Sequence, residues 1–226
     1  MSMTEYTLVR SNRKSIAIHV SAAGVQVRAP LKASKRDIDA FVNRKERWIE
    51  EKLEELRASE NLRGSHVLNY GAPVPYRGKE YPVSAREGNH VGFDMEAFYM
   101  PPDLSPGEIA RACEQIYRLL ARRHLPERTR AFALQMNVNP SGVKISGAKT
   151  QWGSCSAKES INFSWRLVMA DDEVIDYVVV HELAHLLEMN HSERFWAIVE
   201  ATLPDYRTRR ERLRELQKRL SLENWY

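Results

Sequence analysis

The sequence predicts an α+β chain, with strands gathered in its first half and helices in its second. Three observations carry that expectation. The first 30 residues read as three short strands. Residues 66–100 are short apolar runs punctuated by glycine and proline. From residue 105 onward, apolar residues recur mainly at helical spacing. The change of character falls at Pro101-Pro102, which divides the chain into 1–100, β-rich with one helix, and 101–226, mainly helical.

Taken in order, TLVRS, SIAIHVS and GVQVRAP alternate or run apolar, with breaks at Ser11-Asn12 and Gly24 and a stop at Pro30. A helix over about 34–57 follows, capped by Ser34, with Ile38, Phe41, Val42, Trp48, Ile49 and Leu53 at helical spacing. Gly71, Pro73, Pro75, Gly78, Pro82 and Gly88 separate the short strands of 66–100. Ser105-Pro106 starts the next helix, cap then first-turn proline, and Pro126 either kinks it or opens a second helix to about Met136. Residues 142–145 read as a strand, and 151–155 with 161–165 as a hairpin. Helices are expected over 172–189, 193–202 and 205–220.

Composition limits the function classes. In 226 residues, 43% are hydrophobic and 28% charged, which is enough apolar material for an ordinary core. No stretch approaches the ~18 apolar residues of a membrane span, and the N-terminus lacks the apolar run of a signal peptide. Two cysteines, Cys113 and Cys155, fit a reducing compartment better than export. The net charge of +4 is too small to mark a dedicated nucleic-acid binder. Locally, residues 171–205 hold nine acids against one base, Arg194, a net of −8.

Those acids surround the chemical motif. His181-Glu182-Leu183-Ala184-His185 is HExxH. On a helix, residues four apart lie on one face a turn apart, so both imidazoles reach one metal ion while Glu182 lies close enough to take a proton from a water there. The run VIDYVVV would also suit a buried strand. Helix is preferred because Asp171 or Asp172 can cap it and because HExxH works only at helical period. His191, ten residues after His181, matches the third-ligand offset of metzincins, with Glu188 where those enzymes carry glycine. Asn190 is the expected turning residue, in the left-handed region, and Ser192 the cap of the next helix, which packs Phe195, Trp196 and Val199 inward. Three imidazoles with an open fourth position form a catalytic Zn2+ arrangement. Asp205 and Cys155 are weaker alternatives as ligands.

HELAHLLEMNHSERFW, preceded by QWGSCSAKESINFSWRLVMA, resembles the YgjP-like zinc metallopeptidases and, more distantly, the SprT-like and WLM proteases. The likeness extends to RSNRKSIAIHV, FVNRKERWIEEKL and about 107–214, although Gln151 stands where the family usually has Arg. It implies a zincin-like hydrolase domain over 101–226 carrying the HExxH helix, a small β-rich N-terminal part, bound zinc and a cytoplasmic location. Both peptidase and nucleoside-triphosphate hydrolase activities are attached to that family.

Residues 152–156 have two readings: an edge strand beside the metal that pairs with an extended peptide, or core in which Gly153 allows close packing. Residues 161–165 are the strand expected to align a peptide backbone, with Asn162 and Ser164 at the substrate. Arg166 has two readings as well, an oxyanion or phosphate contact or an ion pair with nearby acids. The function expected is a zinc-dependent peptidase with His181, His185 and His191 as ligands and Glu182 as general base. The alternatives are triphosphate hydrolysis, using Arg166, Lys149 and Lys158, and a DNA-associated module recruited by Arg122-Arg123 and the arginines of 207–214. The acidity of 171–205 favours the peptide.

Overall fold

In the computed structural model, residues 5–21, 23–65, 67–223 and 225 are described, 57–65 through the backbone alone. The chain is α+β and forms two compact units, one up to residue 66 with 221–225, the other 67–220. No helix among the described residues is long and apolar enough to cross a membrane.

In the first unit, β1 (Thr7–Ser11), β2 (Ala17–Ser21) and β3 (Gly24–Pro30) form a sheet ordered β1-β3-β2, with β1 parallel and β2 antiparallel to β3. Alternation along β3 buries Val25, Val27 and Ala29, which pack with Ile38, Val42 and Ile49. Ser34 caps α1 (Lys35–Arg44), its Oγ accepting the Asp37 N–H at 3.1 Å. The helix expected over 34–57 is broken at Lys45, and α2 (Glu46–Ser65) begins there. No glycine or proline marks the break, so periodicity runs straight through it.

The second unit is built on α3 (Pro106–Gln135), 30 residues with Pro126 inside and uninterrupted. Glu108 closes the capping box by accepting the Ser105 N–H at 2.9 Å. Strands β4 (Pro73–Tyr76), β5 (Lys79–Ala85), β6 (Gly92–Phe93) and β7 (Phe98–Met100) form a sheet ordered β4-β5-β7-β6. This sheet belongs with α3: Tyr117 donates to the Pro75 carbonyl at 2.6 Å, and its ring lies 4.9 Å from Phe98 and 5.6 Å from Trp165. The compact units therefore divide near residue 66, whereas the composition changes at Pro101-Pro102.

In a third sheet, strands β8 (Gly142–Ser146), β9 (Gly153–Cys155) and β10 (Ser160–Ser164) are ordered β8-β10-β9. This sheet lies against α4 (Asp172–Ala184) through its strand β9. The β9–β10 hairpin forms as expected, but β8 pairs parallel with β10 and makes it the central strand. The expectation that 161–165 offers an edge to a peptide is thereby corrected: both edges of β10 are taken, and the outer strands are β8 and β9. A 3-10 turn, Trp165–Met169, leads to α4, then α5 (Glu193–Thr202) and α6 (Tyr206–Leu222).

Candidate metal centre

The HExxH segment is helical despite its β-branched run. Asp171 caps α4 through the Val174 N–H at 3.0 Å, and buried Val174, Ile175, Val178, Val179 and Val180 seat it in the core. The helix ends at Ala184, five residues before its expected end. Its last carbonyls are satisfied in tight turns, Ala184 accepting from both Leu187 and Glu188, and the chain bends away early. Asn190 is not among the residues with positive φ, so the corner is made without a left-handed residue there. Ser192 caps α5 through Phe195 N–H at 3.3 Å, as the sequence suggested.

This corner brings His191 back onto α4. Its Nε2 lies 3.1 Å from that of His181, and one ligand atom each from His181, His185 and His191 fall within 4.8 Å of one another. Two imidazole nitrogens at ~2.0–2.1 Å from a tetrahedral zinc stand roughly 3.3 Å apart, so the closest pair fits one ion. His185 Nδ1 lies 3.3 Å from the Glu188 carbonyl oxygen. With the proton held there, Nε2 keeps its lone pair. Burial, helped by the neighbouring His185 and His191, pushes His181 down to about 3, and burial also lowers His185. Both are therefore neutral at pH 7, the form that binds a metal. Phe195, fully buried, is the post behind them: its ring lies 4.9, 4.6 and 4.8 Å from the rings of His181, His185 and His191.

Glu182 is only 5% exposed, and burial pushes its carboxyl up to about 8. It packs on the backbone of β9: a Cβ at Gly153 would stand 2.6 Å from Glu182 Oε1 and 2.7 Å from its Cγ. A cleft of about 200 Å³ opens here, lined by Trp152, Gly153, Tyr177, His181, Glu182 and Leu213. Trp152 is thus half-buried at the cleft, and Gly153 admits the close approach of the Glu182 side chain.

The other expected residues lie around this centre in different roles. Asn162 Nδ2 donates to Ser146 Oγ at 3.1 Å, and Ser164 Oγ donates to the Ala148 carbonyl at 2.8 Å, so both bind within the sheet region. Buried Arg166 lies 4.2 Å over the Trp165 ring and donates to the Gly147 carbonyl. Asp205 holds Arg209 at 2.9 Å, and neither it nor half-buried Cys155 joins the histidine group. Glu188 contributes its backbone carbonyl to His185, a role that residue identity does not signal.

The local charge of −8 does not survive folding. Arg212 pairs Asp171 and Glu173, Arg77 pairs Asp172, Arg128 pairs Asp176, Arg207 pairs Glu200 and Arg209 pairs Asp205. Six of the nine acids thus meet arginines from outside the segment. The acidity of 171–205, which the sequence offered as a reason to prefer a peptide, is thus largely paired within the fold.

The model of the YgjP-like, metallopeptidase domain matches residues 14–216. Among solved structures, the zymogen of jannalysin from Methanocaldococcus jannaschii is 22% identical with a TM-score of 0.37, over 42% of this chain and 97% of that one. The zymogen of abylysin from Pyrococcus abyssi is 25% identical with a TM-score of 0.35, over 42% of this chain and 90% of that one. Both are metallopeptidase zymogens. No curated protein matches the chain.

Proposed function

This chain belongs to the YgjP-like metallopeptidase family, and we propose that it is a zinc-dependent peptidase in which His181, His185 and His191 hold the ion and Glu182 is the general base. The observation that carries the proposal is the convergence of three imidazole nitrogens within 4.8 Å, with a buried carboxylate on the residue next to the first. We assign the chemistry to residues 101–226, where all four residues lie.

Zinc held by these three imidazoles would supply Lewis acidity at the scissile carbonyl and at the attacking water. The chain's own groups do the rest. A cation held beside Glu182 would favour its ionised form against the effect of burial, and that carboxylate would take a proton from the attacking water and pass it to the leaving amine. Gly153 leaves room for the carboxylate, and the low exposure around it keeps competing water out. An extended peptide pairs with the outer edge of β9, one strand from the centre of its sheet and directly against Glu182. Asn162, Ser164 and Arg166 act on substrate through the frame that positions β9. A cytoplasmic location belongs to the same reading, supported by two free thiols, Cys113 buried and Cys155 half-buried.

Metal content tests the ligand set. The purified chain carries one zinc, and His191→Ala lowers zinc affinity about as much as His185→Ala. Unchanged zinc in His191→Ala, with loss in Asp205→Ala, replaces the third ligand.

A further inference from the structure

The arginines of α6 fall into two sets. Arg207, Arg209, Arg212 and Arg219 each hold a carboxylate, of Glu200, Asp205, Asp171 with Glu173, and Glu80. Arg210 and Arg214, one turn apart, are exposed and, among the described residues, have no carboxylate within 4.0 Å. Arg210 is nevertheless held in place. Its guanidinium carbon lies 5.2 Å over the Trp196 ring, and that ring stacks on His191 at 5.8 Å and on Tyr206 at 5.4 Å. The cation is therefore one aromatic ring away from a proposed metal ligand. Leu213, three residues on from Arg210, lines the cleft with His181 and Glu182.

Stacking uses the face of a guanidinium. Its five N–H donors lie in the plane and point outward from the edge, in the fork that matches a carboxylate. An arginine oriented by a tryptophan, free of an acidic partner and beside the cleft is a receptor for an anionic group. On a peptide that group is a carboxylate.

We propose that Arg210, assisted by Arg214, binds a carboxylate of the substrate beside the metal centre, either an acidic side chain or the peptide's free C-terminus. The proposal rests on the peptidase reading above and names the substrate class for that site.

The test separates binding from turnover. In the full-length, zinc-loaded Glu182→Gln chain, fluorescence anisotropy follows three labelled peptides of one sequence: one with an internal Glu and an amidated end, one with Gln and a free end, and one with Gln and an amidated end. At least one carboxylate peptide binds about tenfold tighter than the neutral one, as expected for a partly solvated charge-assisted bond. Adding Arg210→Ala removes that difference, and Arg210→Lys restores part of it. Which peptide responds tells the side chain from the C-terminus. Equal binding of all three, a preference that survives Arg210→Ala, or competition by inorganic triphosphate stronger than by any carboxylate peptide would overturn the proposal. Carboxylate-dependent binding without cleavage by the zinc-loaded wild type would instead sink the peptidase reading and leave the carboxylate site standing.

Discussion

Replacing Gly153 by Ala tests how tightly β9 and Glu182 are fitted. The added Cβ would stand 2.6 Å from Glu182 Oε1, 2.7 Å from Cγ and 2.8 Å from Cδ, where ordinary contacts begin at 3.4 Å. The Glu182 side chain cannot swing aside freely, because it is 5% exposed and its own helix is buried on most sides. Either the carboxylate or the strand must move by a few tenths of an ångström to 1 Å. Overpacking of this kind costs ~1–3 kcal/mol, a Tm lower by several degrees in a chain of this size. A displacement approaching 1 Å at a proton-transfer group costs ~10²-fold in kcat/KM. The assay compares kcat/KM, zinc content and Tm for wild type, Gly153→Ala and Gly142→Ala, the last a control whose added methyl meets nothing within 4 Å. The expected pattern is a Gly153→Ala chain that keeps its zinc and most of its stability but loses activity. Wild-type turnover in that variant would refute the fit between β9 and Glu182.

Phe195→Leu shortens the post behind all three imidazoles and lowers zinc affinity ~10–100-fold, the usual scale for lost support of metal ligands, as read by chelator competition; an unchanged Kd removes Phe195 from the site. His124, buried on α3, is lowered from 6.5 by burial first and by the nearby Arg77 next, against the opposing Asp172. The unfolded chain therefore takes up that proton first, and the His124 contribution to stability is full above about pH 6.5 and falls as the pH drops toward 5. Urea midpoints at pH 7.5 and 5 should show a smaller pH dependence for His124→Gln than for wild type, and equal slopes would contradict this assignment.

Much of this arrangement is local and therefore legible. Ser34, Ser105, Asp171 and Ser192 announce helix starts because a cap bonds within its own turn. HExxH with His191 points to the centre because helical spacing fixes the first two imidazoles and a short corner returns the third. What escapes the sequence is pairing across distance. Nothing in 142–146 says that it lies parallel to β10, so the strand expected at an edge is central. Nothing in 171–205 says that arginines from β4–β5, α3 and α6 cancel six of its acids. Gly153 looks like a turn residue or a packing residue until Glu182 is found against it. The early end of α4 escapes too, since Leu186 and Leu187 continue the apolar pattern past Ala184, its last residue.

The most direct test of the account is the appearance of new amino termini when the zinc-loaded chain is incubated with an unfolded protein. The account predicts that they form with the wild type, vanish on chelation, return with added zinc, and fall ~10²–10⁴-fold or more in Glu182→Gln although that variant keeps its metal. New termini formed equally by Glu182→Gln, or none formed by a wild type carrying its full zinc, would contradict it.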